Sequence, residues 1–488
     1  MEVSMRLVVV IFAMIAVALI GAEAHGQDRQ LFETMRSQES LSPQVQRRIS
    51  QRQADIGDAT IAVGRFDPAA IRQVSIGDRL DISVSQELTV RATTISVRTN
   101  QNGRTVLLGE TQGQPGMPPG LTTLVIDGDN IAGSVQAADG RQYRVYPLGN
   151  GDTAVIELDY ESLPPDHSPG DPLEDSAQPR EQQQRQTRPV QRRPTNSPQP
   201  ARTESENDED EPLRVQATSP EFMRRLSPDT QMQISRPLSA RLIERHRDWS
   251  DLSTEIEVQQ IDVLVAYTGD ARRAAEDVFG DVELLIDLAI AETNASFRNS
   301  NVWVEINLVD TMHVTYNETA QGMSRPYSRM VMELAARGDV YLRRVHTRRN
   351  REDADIVILI VDQDQSCGRA AAISAEAETA FAVVHWDCAT GYYSFGHEIG
   401  HLLGARHNPE SDPTDTPFSF GHGFRFESPG NGWRTVMSYD CPNFECPFRL
   451  PYWSSPLNVV SGTPAGDSNL RNNAQVWAER AEEVAGFR

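Results

Sequence analysis

The run His397-Glu398-Ile399-Gly400-His401-Leu402-Leu403-Gly404-Ala405-Arg406-His407 places three imidazoles and one carboxylate at offsets that suit a single metal ion. His397 and His401 are four residues apart, so on a helix both leave the same face. Two neutral ring nitrogens on one face are suitable ligands for Zn²⁺, which favours tetrahedral geometry. Glu398 sits beside the first ligand, where a carboxylate reaches a water on the metal without being a ligand itself. Gly404 ends the helix, because glycine adopts positive φ at little cost, and His407 returns from beyond the turn as the third ligand. Three protein ligands and a water describe a catalytic zinc site, whereas a structural site is closed by four. At ordinary residue frequencies the shorter H-E-x-x-H pattern arises by chance in roughly one chain in a hundred of this length, and the full pattern in about one in a hundred thousand.

This extended pattern resembles the signature of the metzincin zinc endopeptidases, in which a Met-turn follows the third histidine. Val436-Met437-Ser438-Tyr439 stands at the matching distance. The resemblance implies that Met437 lies beneath the zinc ligands and that Tyr439 touches the zinc or the transition-state oxyanion, as a tyrosine at that offset does in the astacin and serralysin branches. Arg434 to Cys441, Cys446-Pro447 and Tyr452-Trp453-Ser454-Ser455-Pro456 resemble bacterial reprolysin-like enzymes of the peptidyl-Asp metallopeptidase type. The likeness runs from about Ile256 to the C-terminus and implies an α+β zincin: a twisted mixed sheet with an active-site helix. Asn408 stands where adamalysins have Asp, astacins Glu and matrixins Ser, so the branch stays open. The resemblance also implies cleavage on the N-terminal side of Asp. An acidic side chain there calls for a cationic pocket, for which Arg406 and Arg434 are candidates by position. His385 and His422 are expected to be structural, because the zinc already has its three histidines.

Composition narrows the partners. The 488 residues carry a formal charge of −23, and every basic residue is arginine. So acidic a chain lacks the basic face that nucleic acid requires. Arg6, the apolar run Leu7 to Ala22 and the site Ala22-Glu23-Ala24 read as a cleaved export signal over residues 1–24. The mature protein is therefore expected outside the cell, with the periplasm as the alternative, off the membrane and as a monomer. Four cysteines in an exported chain read as two disulfides, with three connectivities open. Cys367–Cys388 and Cys441–Cys446 are favoured because each closes a local loop. No loop has the D-x-[DN]-x-[DN]-G form that would support a structural Ca²⁺.

The catalytic residues need elements to hold them. Ile261–Tyr267, Val302–Val309 and Ala380–Trp386 read as strands, and Ile356–Val361 as a strand covered on both faces. Asp281–Phe297, Gly338–Arg349 and Tyr393–Leu403 read as helices. The resemblance makes Ala380–Trp386 the sheet edge that pairs with an extended substrate. Ahead of this catalytic domain (256–488) the expected order is a lead-in (25–57), a β-rich prodomain (58–160), a disordered Pro, Gln and acidic linker (161–215), and a connecting segment (216–255). The prodomain expectation rests on alternation such as Leu80-Asp81-Ile82-Ser83-Val84 and on hairpin pairs such as Asn102-Gly103. Placed before a protease, it is expected to inhibit it. With no cysteine before Cys367, any latency needs a ligand other than a thiolate, or steric cover. The competing functions are an exported binding protein that keeps a metzincin shell, and a zinc hydrolase of a non-peptide bond. Against the first stands Glu398, since a binding shell has no use for a base.

Overall fold

The computed structural model describes residues 26–33, 41–56, 61–167 and 258–488, apart from 86, 115–116, 118, 150, 321, 338–339 and 442–445. The expected export signal, the connecting segment and most of the expected linker lie outside the described residues. The architecture is mixed α and β.

The N-terminal part is one ten-stranded sheet in the order β1-β4-β5-β6-β7-β8-β9-β10-β3-β2. Its strands are β1 (Asp28–Gln30), β2 (Phe32–Glu33), β3 (Ile61–Phe66), β4 (Arg79–Ser83), β5 (Thr89–Thr99), β6 (Thr105–Thr111), β7 (Gly120–Asp127), β8 (Asn130–Gln136), β9 (Gln142–Gly149) and β10 (Asp152–Glu157). From β4 to β10 each strand pairs antiparallel with the next. The lead-in belongs to this unit: β1 and β2 join the sheet, and helix α1 (Pro43–Ile56) buries Val45 and Ile49 against it. Two- and three-residue strands are too short to show a period of two, so the sequence does not reveal them.

Alternation along these strands serves two cores. Ala62, Leu124, Val145 and Val155 point to one face, where they pack with Leu80, Ile82 and Leu107. Their chain neighbours Val63, Val125, Tyr146 and Ala154 point to the other and join the core of the C-terminal half. There Tyr146 meets Phe279 edge-on, with ring centroids 5.1 Å apart.

In the C-terminal half a five-stranded sheet runs β12-β11-β15-β17-β16. It comprises β11 (Gln259–Thr268), β12 (Val304–Val314), β15 (Ile356–Val361), β16 (Gly368–Ala370) and β17 (Phe381–His385); β13 (Thr319–Ala320) and β14 (Met323–Ser324) form a separate small hairpin. All neighbours are parallel except β16, which runs antiparallel to β17. The sheet edge is therefore β16, not the segment Ala380–Trp386, whose strand β17 is paired on both sides. Every residue of β15 is buried, as its unbroken apolar run requires.

Helix α2 (Pro68–Ile71) is a single turn in the N-terminal unit, and α3 (Gly269–Phe279) and α4 (Val282–Asn299) cover the larger sheet's inner face. Their starts follow local chemistry: Thr268 Oγ1 accepts from Ala271 N–H, and the Asp281 carboxylate accepts from Glu283 N–H. Beyond them come α5 (Tyr327–Ala335), α6 (Arg343–Arg351), α7 (Ser394–Leu403) and α8 (Asn473–Val484). Helix α6 starts later than the expected Gly338.

Besides the apolar contact, two buried arginines join the halves. Arg104 donates to Asp287 (2.7 Å), Asp281 (2.7 Å) and Asp127 (3.0 Å). Arg144 pairs with Asp387 (2.6 Å) and donates to the Thr390 carbonyl (2.9 Å). Arg104→Ala leaves buried Asp287 without its cation. We expect full-length stability to fall by about 3 kcal/mol, at the low end for a broken buried pair because Asp281 and Asp127 keep part of their hydration. An unchanged denaturant midpoint would contradict this docking role.

Candidate metal centre and active-site cleft

All ten residues of α7 are buried. The helix begins after Tyr393, a left-handed residue at φ 63°, and ends at Gly404, φ 110°. Gly404 sends the chain back across the helix end, where Ala405 N–H bonds the Gly400 carbonyl at 2.9 Å. The returning strand is held by Arg406 N–H on the Gly421 carbonyl (2.7 Å) and by Gly423 N–H on the Arg406 carbonyl (3.0 Å). His422 Nδ1 bonds the His407 carbonyl at 2.8 Å and so fixes the third histidine's backbone. The other expected structural histidine, His385, lies buried on β17 with its ring 6.0 Å from that of Trp386.

The turn brings the three histidines together. Nε2 of His397 lies 3.1 Å from that of His401 and 3.3 Å from that of His407, and the last two are 2.9 Å apart. With Nε2 turned inward, Nδ1 of His397 lies 2.9 Å from both the Val436 carbonyl and Arg449 Nη2, and Nδ1 of His401 lies 2.9 Å from the Ala405 carbonyl. Those contacts leave the Nε2 lone pairs facing one another. Burial holds the His397 and His407 rings well below their ordinary pKa, so both are neutral. Converging lone pairs repel unless a cation lies between them. Tetrahedral zinc with bonds of about 2.0–2.1 Å requires nitrogens about 3.3 Å apart, close to what is seen. The donor set fits the metal.

Glu398 is buried, and its carboxylate rests against the start of β16. A Cβ on Gly368 would lie 2.3 Å from Glu398 Oε1, so the bare glycine makes the space. Met437 passes under α7 at another bare position: a Cβ on Gly400 would lie 2.7 Å from Met437 Sδ and 2.8 Å from the Trp453 ring. The Tyr439 ring packs against that of His407 with centroids 4.0 Å apart at a tilt of 32°, and its N–H bonds Asn408 Oδ1 at 3.1 Å. Asn408 thus ties the Met-turn to the turn carrying the third histidine. Both disulfides sit close by, Cys367–Cys388 before β16 and Cys441–Cys446 after the Met-turn.

The two expected arginines do not face the cleft. Arg406 and Asp412 are both fully buried and form an ion pair of 2.9 Å. Arg434, also fully buried, pairs with Asp440 and donates to the Ser438 carbonyl and the Tyr392 hydroxyl. Proximity in sequence to the site favoured them; packing turned them inward. Arg449, also fully buried, lies on a short strand (Phe448–Arg449) paired with Trp433–Arg434 and reaches the cleft-bound segment. Its Nε donates to the Val436 carbonyl at 2.9 Å, and its Nη1 pairs with Asp166 at 2.8 Å.

That partner comes from the stretch expected to be a disordered linker. Residues 160–167 lie instead along the cleft. Tyr160 and Leu163 pack on Tyr392 and the Cys367–Cys388 disulfide. Cys367 N–H donates to the Pro165 carbonyl (2.8 Å), and Ser366 Oγ donates to the Asp166 carbonyl (3.0 Å). His167 enters the metal centre, its Nε2 3.2 Å from that of His407. Sequence reasoning missed His167, because a lone histidine among prolines and acids has no partner at helical spacing.

A mixed sheet above a buried helix that delivers a cluster of converging histidines defines a metalloendopeptidase of metzincin type. Comparison with known proteins agrees. The profile of metallopeptidase family M12 matches residues 257–454. A peptidyl-Asp metalloendopeptidase of Xanthomonas campestris pv. campestris is 32% identical over 371 residues, 76% of this chain and 70% of that protein. One from Stenotrophomonas maltophilia K279a is 32% identical over 372 residues, 76% of this chain and 71% of its own length. One from Pseudomonas fragi is 57% identical over 102 residues, 21% of this chain and 63% of that protein. The chain belongs to the peptidyl-Asp metalloendopeptidases of family M12.

The close approach at Gly400 is testable by itself. Gly400→Ala pushes a methyl into Met437 and Trp453, and overpacking costs about 1–3 kcal/mol, against a gain of at most about 1 kcal/mol in helix propensity. Denaturant unfolding should show a net loss; equal or higher stability would mean that the Met-turn is not clamped against the helix.

Proposed function

We propose that this chain is the exported precursor of a zinc endopeptidase that hydrolyses peptide bonds on the N-terminal side of Asp, with the ten-stranded N-terminal unit as its inhibitory prodomain. The observation that carries the reading is the meeting of three Nε2 lone pairs at the end of the helix that also carries the buried Glu398. His397, His401 and His407 would hold the ion. Bound there, zinc supplies acidification of a water and polarisation of the scissile carbonyl. Glu398 takes the proton of the attacking water and returns it to the leaving amine. Tyr439, packed against His407, donates its phenol hydrogen to the developing oxyanion. Met437 supports the histidines from beneath and makes no bond to the ion.

Substrate binding follows from the sheet edge. Strand β16 offers its open side to an extended peptide, which adds as a further strand. Arg449 is the cation for the substrate aspartate, since a carboxylate of the cleft-bound segment already rests on it. Protein and peptide chains are the substrates. The presence of two disulfides supports export, and no described helix is long and apolar enough to cross a membrane.

Two experiments test this. Glu398→Gln in the activated enzyme should keep its zinc and lose about 10²–10⁴-fold in kcat, the usual value of a general base; wild-type turnover would end that assignment. Arg449→Gln should lower the ratio of kcat/KM for an Asp peptide to that for the matching Asn peptide by about 10–100-fold, the worth of a charge-assisted hydrogen bond, whatever it does to overall activity through the Val436 carbonyl and His397. A preference for Asp over Asn that survives the substitution would place the specificity elsewhere.

A further inference from the structure

The metal centre contains more nitrogen than a catalytic site can use. His167 offers a fourth ligand atom, and the ligand atoms of His167, His397, His401 and His407 all lie within 4.8 Å of one another. Its ring centroid is 5.7, 5.6 and 4.9 Å from those of His397, His401 and His407, so it stands over the triangle they make. Four imidazole nitrogens converging on one point suit a cation, and four nitrogens complete a tetrahedron.

We propose that His167 is the fourth zinc ligand of the precursor, occupying the position that the substrate-attacking water needs and so holding the enzyme closed. This rests on the zinc peptidase reading given above and names the residue by which the N-terminal unit regulates that site.

The chain around His167 is built to deliver it. The Pro165 and Asp166 carbonyls accept from Cys367 N–H and Ser366 Oγ, directly before β16, so the segment lies where the edge would pair with substrate. The Asp166 carboxylate occupies Arg449, the same cation assigned to the substrate aspartate. Pro164 and Pro165 restrict the segment before it binds, which reduces the entropy lost on ordering. Upstream, Tyr160 and Leu163 are seated on the disulfide cluster, and β10 ends only at Glu157. The N-terminal sheet therefore hands His167 to the metal over a short, fixed span. Ligand, acidic anchor and the backbone bond to Cys367 together occupy the places assigned above to the water, the substrate aspartate and the approach to the edge strand.

The test uses the full-length precursor, uncleaved, with Co²⁺ in place of zinc and azide as the probe of an open coordination position. The wild-type visible spectrum should not respond to azide. That of His167→Ala should shift on titration, and its metal should pass to a chelator at least about tenfold faster, equivalent to 1.4 kcal/mol. His167→Ala with zinc should also hydrolyse an Asp peptide at least about tenfold faster than the uncleaved wild type. Asp166→Asn, which keeps the ligand but weakens its anchor, should fall between the two. A wild-type precursor that binds azide as readily as His167→Ala, or a variant as unresponsive as wild type, would overturn the proposal. An azide-responsive variant without chelator-sensitive peptide hydrolysis would support the ligand and count against the peptidase reading, so the two failures are distinguishable.

Discussion

Mutual repulsion of imidazole lone pairs inside a dry cleft is the constraint around which the catalytic half is arranged. Three Nε2 atoms within 3.3 Å of one another are tolerable only around a cation. Keeping them there requires that each ring be held from behind. Backbone carbonyls do this for His397 and His401, and His422 does it for the chain of His407. Those carbonyls belong to the Met-turn and to the turn at Gly404, so both turns are parts of the ligand scaffold.

Bare glycines let these parts approach. Gly400 admits the Met-turn beneath the helix, and Gly368 admits the Glu398 carboxylate against the edge strand. Buried arginines then tie the loops. Arg406 locks the stretch after the third histidine through Asp412, and Arg434 binds the end of the Met-turn. Guanidinium suits this work, because its planar fork satisfies several acceptors at once. Arg449 combines both uses: its Nε supports the Val436 carbonyl while its Nη1 faces the cleft.

The N-terminal sheet is coupled to the catalytic half by having two buried faces. One carries its own core and the other packs on α3 and α4, with Arg104 and Arg144 as polar ties. A sheet docked so broadly delivers the segment 160–167 to the cleft without relying on that segment's own affinity.

What could be read without coordinates was the chemistry written at short range. The spacing of His397 and His401 follows the helical period, Gly404 marks the turn, and His407 lies three residues beyond it. Met437 and Tyr439 stood out only through the family resemblance, whereas the buried strand Ile356–Val361 and the pairing of cysteines that close small loops followed from local pattern. Long-range geometry was not legible. The edge strand β16 is three residues long and carries no periodic signal. Arg406 and Arg434 look like cleft residues in sequence, and only packing shows them spent on internal partners. His167 meets His407 across 240 residues, and Asp166 meets Arg449 across 283. No local pattern can encode such contacts. They exist because the docking of one sheet on two helices decides where the next ten residues must run.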